Sequence, residues 1–405
     1  MTKFQFCNVV ILPRFFLEIF TLHKIYLDHN ATTPVLPEVL DVMLPFYKDK
    51  FGNPSSVHSK GRVARVSLDV AREQVAELIS AKPVEIVFTS GGSESNNFAI
   101  LGVALALNNK KRHIVTSEVE HAAILNPLKQ LETLGFHIDY IPVDDSGRVN
   151  LQKIKNILTD STALVTIQHA NSEVGTLQNI SEIGKLIQKK GILFHTDAVQ
   201  SVGKIPVNVN DLGVDLLSIS SHKIYGPKGV GALFVKRGTP ALFSPVCGGG
   251  QEKKRRGGTE NVPSIVGFGK ACQIAQHRVN KGKPEELKKM RDQLRERINE
   301  LVPNVKFFGC LEKCLPNTLN CGFEGADGEA LLIALDMKGI LVSTGSACSS
   351  GTGLPSQVLS AMQLPQSMIS SSLRFSLGWS NTLEDIDFTA TTLANAVMLS
   401  RKKSP

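Results

Sequence analysis

The chain has 405 residues, 42% hydrophobic and 20% charged, which excludes a disordered polypeptide and leaves room for two or three domains. Its net charge of +8 comes from 45 Lys and Arg against 37 Asp and Glu. One Trp and four Tyr cannot interleave the basic runs, so nucleic acid is not expected as a partner. Seven cysteines scattered along the chain form no dense framework, which argues against a secreted disulfide scaffold and for a reducing, cytoplasmic setting.

In chain order, residues 1–24 come first, apolar and aromatic with Phe4, Phe6, Phe15, Phe16 and Phe20. Arg14 and Glu18 break this run, it is too short to span a bilayer, and no small-residue cleavage site follows. It reads as a loosely attached extension or a misread upstream start, with a removed presequence that targets an organelle as the alternative. No membrane association is expected, because no later stretch is long and apolar enough. From Ile25 onward strand and helix signals alternate. Glu85 to Thr89, His113 to Thr116, Ala163 to His169, Ile192 to His195 and Leu216 to Ser220 have the length of buried strands. Ser181 to Lys190 reads as a helix with Ile183, Leu186 and Ile187 on one face. This alternation predicts an α/β fold with a mostly parallel sheet covered by helices. Ligands of such sheets bind beyond the carboxyl ends of the strands. After Pro263 the pattern changes to a charged helix from Pro284 to Glu300, short strands and a Gly/Ser-rich stretch over 343–356, which places a boundary near 265–285. The basic runs Lys110 to Arg112, Lys189 to Lys190, Lys253 to Arg256 and Arg401 to Lys403 read as solvated faces.

Three consecutive strand ends carry polar residues to one rim: Asn171 after His169, Asp197 after Thr196, and Lys223 after Ser220, Ser221 and His222. A lysine at a strand end is ordinarily solvated. A lysine facing a carboxylate across such a rim suits a Lys-bound aldehyde cofactor whose ring nitrogen needs an anionic partner, as pyridoxal phosphate does. Thr89 to Asn97 contains Gly91, Gly92 and Ser93 between a strand and a helix. Glycines allow close backbone approach, and the unpaired N–H groups of the helix start favour a phosphate.

These features, with Tyr26 to Pro34, Phe51 to Ser56, Glu118 to His121, Ser221 to Gly229, Gly257 to Glu260 and Ser346 to Ser350, resemble the group I cysteine desulfurases of the NifS/IscS type, within the class V aminotransferase family. The matching stretches run from about residue 25 to 390 in the family's order. The resemblance implies a fold-type I PLP-dependent transferase with a large domain built on a mostly parallel seven-stranded sheet and a smaller α+β domain. It divides the chain into an extension (1–24), an arm joining the small domain (25–40), a large cofactor domain (41–270) and a small domain (271–405) that carries a catalytic Cys loop (343–356).

Carried over by position, the resemblance implies that Lys223 bonds to the aldehyde of pyridoxal 5'-phosphate and moves protons at the substrate's α-carbon. Asp197 would pair with the ring nitrogen, Gln200 with the ring hydroxyl, and His121 would stack on the ring and assist proton transfer. Gly92, Ser93, Ser220 and His222 would bind the phosphate. Thr259 would reach the partner's phosphate in a homodimer. Arg374 and Asn171 would hold the α-carboxylate of L-cysteine, a task for which a guanidinium fork is suited, and Asn171 would also contact the cofactor. Cys348 lies among Ser343, Gly345, Ser346, Ser349, Ser350, Gly351 and Gly353, too polar and glycine-rich for core, and would take the sulfur as a persulfide.

The expected activity is conversion of L-cysteine to L-alanine, supplying sulfur to an acceptor protein for iron–sulfur cluster or thio-cofactor synthesis. No resident metal is expected, although the persulfide on Cys348 could transiently ligate a cluster. Cys310, Cys314 and Cys321 lack a zinc spacing and read as structural. The alternatives are a selenocysteine lyase or PLP-dependent C–S lyase releasing selenide or sulfide, and a non-catalytic homologue. Cys348 favours the desulfurase, because elimination needs no acceptor thiol. The intact set Lys223, Asp197, His121, Arg374 and Cys348 opposes a silent copy. Two departures stand out: the apolar extension, and a shorter C-terminal tail than scaffold-loading desulfurases carry.

Overall fold

The computed structural model describes residues 24–344 and 355–403. Its strands are β1 (Ile25–Tyr26), β2 (Ile86–Thr89), β3 (His113–Ser117), β4 (His137–Ile141), β5 (Thr162–Thr166), β6 (Leu193–Asp197), β7 (Leu216–Ser220), β8 (Gly231–Val235), β9 (Val305–Phe308), β10 (Thr318–Phe323), β11 (Ile340–Leu341), β12 (Ser343–Thr344) and β13 (Ser372–Ser376). Seven of them form one sheet in the order β2-β8-β7-β6-β5-β3-β4. All neighbouring pairs are parallel except those of β8, which runs antiparallel to both β2 and β7.

Both faces of this sheet are apolar, and alternation explains how. Val87, Ile114, Leu164, Leu216 and Leu233 point into one core, against the helices Gly92–Leu107 and Ala122–Thr133. Phe88, Val115, Val165, Leu217 and Phe234 point into the other, against Ser59–Leu78, Ile180–Gln188 and Val262–Asn280. The chain is therefore an α/β protein with the expected seven-stranded, mostly parallel sheet.

A second core packs helices Lys283–Leu301, Gly328–Asp336 and Leu383–Lys403 onto an antiparallel sheet of order β12-β13-β10-β9. The short β1 pairs in parallel with β11, and Leu27, with 0% exposure, sits in this core. Helix Val262–Asn280 crosses the expected boundary at 270/271. Its Ala271, Cys272 and Ala275 remain in the core of the large sheet.

Strand β5 ends at Thr166 rather than His169, although Ile167 and His169 still donate their N–H groups to His195 and Asp197 carbonyls of β6. Residues 1–23 and 345–354, including Cys348 and most of its loop, lie outside the described residues. Among the described residues no helix is long and apolar enough to cross a membrane.

Candidate active site

Because β6 and β7 are parallel neighbours, with Asp197 opposite Ser218, their carboxyl ends open on the same side. After β7 a single tight turn, Ser221–Lys223, brings Lys223 back over the rim. Here lies a cavity of about 220 Å³, lined by Lys223, Asp197, His121, Gln200, Gly92, Ser93, Ser220 and His222 among others. The structure thus gathers eight of the residues singled out in the sequence around one cavity.

Asp197 is almost fully buried and firmly held. Asn96 Nδ2 donates to its Oδ2 at 2.6 Å, and the backbone N–H of Val199 donates to Oδ1 at 2.9 Å. Each oxygen keeps a further lone pair, so the carboxylate can still accept from a group in the cavity. Asn96 itself was not singled out. Nothing in its sequence position shows that one turn into helix Gly92–Leu107 it faces the end of β6.

Lys223 Nζ donates to the carbonyl oxygens of Asn30 (2.5 Å) and Ala31 (2.7 Å) in the N-terminal arm. Beside it lies a second lysine that sequence reasoning missed. Lys204 is fully enclosed, and its Nζ contacts Asn30 Oδ1 (2.8 Å) and Gln200 Oε1 (2.9 Å). Burial above all, with the Lys223 and Arg374 cations, pushes its pKa well below the usual lysine value. These two acceptors take two of its N–H groups. Lys204 occupying Oε1 fixes the Gln200 amide, whose Nε2 donates to Asn30 O at 3.0 Å and keeps a second hydrogen for the cavity that Gln200 lines.

His121 caps helix Ala122–Thr133 with Nδ1 accepting the Ala123 N–H at 3.0 Å. The neutral ring therefore carries its proton on Nε2. Glu120 beside it is buried, accepts from Ser117 Oγ (2.6 Å) and Gln168 N (2.9 Å), and is pushed up to about 8 mainly by desolvation.

At the other end of the cavity, Gly91 adopts φ +154°, ψ −175°, a conformation essentially restricted to glycine. At Gly92 a Cβ would lie 2.8 Å from Val199 Cγ2, so the helix start packs tightly against that side chain. The helix that follows has sixteen residues. Its first N–H groups, Ser93, Ser220, His222 and Lys228 meet at one mouth. His222 is pushed down to about 4 by burial and then by Lys223, Lys228 and Lys204. That cationic field suits a dianion. Glu94 at the same mouth is neutralised by Arg256 at 2.8 Å.

Arg374 is buried on β13. Its Nη2 pairs with Asp28 Oδ1 at 2.7 Å and its Nη1 donates to Ser172 O at 3.2 Å, while Nε, also buried, has no partner among the described residues. Asn171 is not among the residues lining the cavity. Its Oδ1 accepts from Glu173 N and Val174 N, and its Nδ2 donates to Val119 O. Glu173 was not singled out either. Burial pushes its carboxyl up to about 7, partly offset by Ser356, Arg374 and His121, and its Oε2 accepts from Ser356 Oγ at 2.5 Å.

Thr259 is exposed and lies apart from Lys223, in a separate cavity with Ser90, Glu252 and Arg256. Cys314 takes a hydrogen bond from Arg291 Nη1 at 2.6 Å, and Cys321 is buried in β10.

The family model for aminotransferase class-V matches residues 25–388. The chain belongs to the class-V aminotransferase family. Membership implies pyridoxal phosphate as the cofactor class. A protein of Dictyoglomus turgidum named cysteine desulfurase IscS is 49% identical over 94% of this chain and 96% of its own length. Among solved structures, a NifS-like protein is 37% identical with TM-score 0.87, covering 93% of this chain and 100% of its own. One described as SspA in complex with cysteine is 38% identical with TM-score 0.78, covering 87% of this chain and 98% of its own. This class-V chain thus resembles cysteine desulfurases over nearly its whole described length, and the extension at 1–24 falls outside the family match.

Proposed function

We propose that the protein is a pyridoxal-phosphate-dependent cysteine desulfurase that removes sulfur from L-cysteine and leaves L-alanine. The observation that carries this reading is the single cavity in which Lys223 and Asp197 face each other beside an anion-binding helix start. The residues present fit the cofactor. Gly91 and Gly92 leave room for a phosphate against the backbone, the lysine-rich mouth matches its charge, and Asp197 keeps acceptor capacity toward the cavity.

Lys223 would hold the cofactor covalently, Asp197 would pair with its ring nitrogen, Gln200 would donate to its ring hydroxyl, and Gly92, Ser93, Ser220 and His222 would bind its phosphate. When bound, pyridoxal phosphate supplies an electron sink for the electrons of the substrate's Cα–H bond. Lys223 would take and return that proton, and His121, protonated on Nε2, would assist. Arg374 would hold the α-carboxylate through guanidinium N–H groups that Asp28 and Ser172 do not occupy. Asn171 supports this arrangement from behind, by fixing the turn that carries Ser172 and Glu173. The Cys348 thiolate would attack the substrate sulfur, so that an S–S bond forms as the C–S bond breaks. The persulfide then passes its sulfur to an acceptor protein, for iron–sulfur cluster or thio-cofactor synthesis.

A homodimer in which Thr259 completes the partner's phosphate site is part of this proposal, supported by the exposure of Thr259 away from its own Lys223. We assign residues 25–40 to an arm and place the division between large and small domains just after helix Val262–Asn280. A cytoplasmic location fits the free cysteines found among the described residues.

The test is an absorbance spectrum and intact mass after incubation with L-cysteine, for wild type, Lys223→Ala and Cys348→Ser. Wild type should show a lysine-linked chromophore and one added sulfur atom, Cys348→Ser the chromophore without the sulfur, and Lys223→Ala no turnover. Free sulfide with no Cys348-dependent adduct would point to a C–S lyase instead.

A further inference from the structure

At the other end of the large sheet, where the parallel strands begin rather than finish, three side chains converge that the sequence reading left without a role. His113 opens β3, His137 opens β4, and parallel pairing sets them directly opposite one another. Their rings stack with centroids 5.3 Å apart. Side chains alternate between the faces of a strand, so Asp139, two residues on, returns to the face of His137. Asp139 Oδ2 lies 3.1 Å from His113 Nε2, and its Oδ1 lies 3.4 Å from His137 Nε2. One nitrogen or oxygen from each of the three lies within 4.8 Å of the others.

We propose that His113, His137 and Asp139 form a zinc site, with water completing the coordination. Imidazole nitrogens and a carboxylate oxygen are ligands zinc prefers, and three protein ligands plus water is a common set. Zinc bonds of about 2.1 Å place tetrahedral ligand atoms about 3.4 Å apart, and each histidine nitrogen already lies at about that distance from one of the two Asp139 oxygens.

The surroundings support a built site. His113 Nδ1 lies 2.8 Å from Thr162 Oγ1, which is itself held by the Thr159 N–H at 2.9 Å. This fixes the ring with Nε2 toward Asp139, as the outer partners of metal-bound histidines do. The His113 side chain is 5% exposed and that of His137 is 74% exposed, so one ligand is anchored and the other can adjust from solvent. Because β4 is the edge strand, the mouth of the site is open. The neighbouring cation Arg112 is engaged elsewhere, donating to Asn108 O at 3.2 Å with its guanidinium 5.9 Å from the Phe136 ring. Only strand pairing joins residues so far apart in the sequence, which is why no metal was expected.

The competing explanation is a plain His113–Asp139 ion pair, which needs neither His137 nor zinc. Calorimetric titration of the holoenzyme with zinc chloride separates the two, with thiols alkylated so that cysteines do not compete. Wild type should bind one zinc per chain, and His137→Ala and Asp139→Asn should each bind at least about tenfold more weakly, with Thr162→Val weakened by a similar factor. Untreated His137→Ala should turn over cysteine at the wild-type rate, which serves as the folding control. No binding by wild type, or equal binding by wild type and His137→Ala, would overturn the site.

Discussion

Asp28 Oδ1 and Arg374 Nη2 lie 2.7 Å apart, joining the N-terminal arm to an inner strand of the small sheet. The guanidinium assigned to the substrate therefore already has a carboxylate partner. With Ser172 O on Nη1, this contact fixes the plane of the fork and leaves Nε unpaired among the described residues. On the proposed assignment of Arg374, Asp28 would act on the substrate through it. Asp28→Asn should raise KM for L-cysteine about tenfold with a smaller change in kcat, since the loss falls on orientation of the carboxylate-binding group. Steady-state alanine formation checks this, and an unchanged KM would remove Asp28 from the substrate's surroundings.

Lys204→Met deletes the donor that orients Gln200 while keeping most of the buried volume. Turnover should fall about tenfold, the worth of one oriented hydrogen bond of about 1.4 kcal/mol. Stability carries a second signature. The folded pKa of Lys204 lies well below its usual value, so between the two the unfolded chain binds more protons and wild-type stability rises with pH. The variant should lose that rise, as read from urea unfolding across neutral to alkaline pH.

Glu173 has the opposite sign. Its carboxyl is pushed up to about 7, so from about 4.5 to 7 the unfolded chain binds fewer protons and stability falls as pH rises. Glu173→Gln mimics the protonated form and can still accept from Ser356 Oγ. It should be near neutral at low pH and more stable than wild type at mildly alkaline pH by roughly 1–3 kcal/mol. Parallel unfolding curves at the two pH values decide this, and equal differences at both would show that Glu173 does not titrate in that window.

Ser356 Oγ accepts the Leu359 N–H at 3.1 Å and so caps helix Gln357–Ala361, while donating to Glu173. Ser356→Ala should destabilise the protein by about 1 kcal/mol through the lost cap. If Glu173 also depends on this contact, Glu173→Gln and Ser356→Ala should be non-additive in a double-mutant cycle.

Residues whose task is set by local chain geometry were legible in the sequence. Asp197 and Lys223 end adjacent buried strands, and Gly91 and Gly92 sit at a strand-to-helix junction, so order along the chain already places them on one rim. Lys204, Asp28, Asn96 and Glu173 were not legible, because their partners lie on other elements. Lys204 in particular reads as an ordinary surface lysine until its contacts with Asn30 and Gln200 are known. Asn171 shows a different limit: its position after a strand gives no sign that its amide also fixes its own turn. Strands β4 and β8 were missed because β4 is a half-exposed edge and β8 follows a glycine-rich stretch that reads as loop.

The carbonyls that receive Lys223 belong to an arm that is held by the large domain on one side and by the far end of the chain on the other. Ile25 and Leu27 donate their backbone N–H groups to the Gly339 and Leu341 carbonyls, and His29 and Asn30 donate theirs to the Ser376 carbonyl and hydroxyl. On the ribosome, the large sheet can assemble while this arm waits for strands made hundreds of residues later. Closure of so long a loop is a late event in folding. The setting of Lys223 is therefore completed only in a finished chain, and a truncated translation product would carry Lys223 and the arm without the C-terminal strands that help to fix that arm.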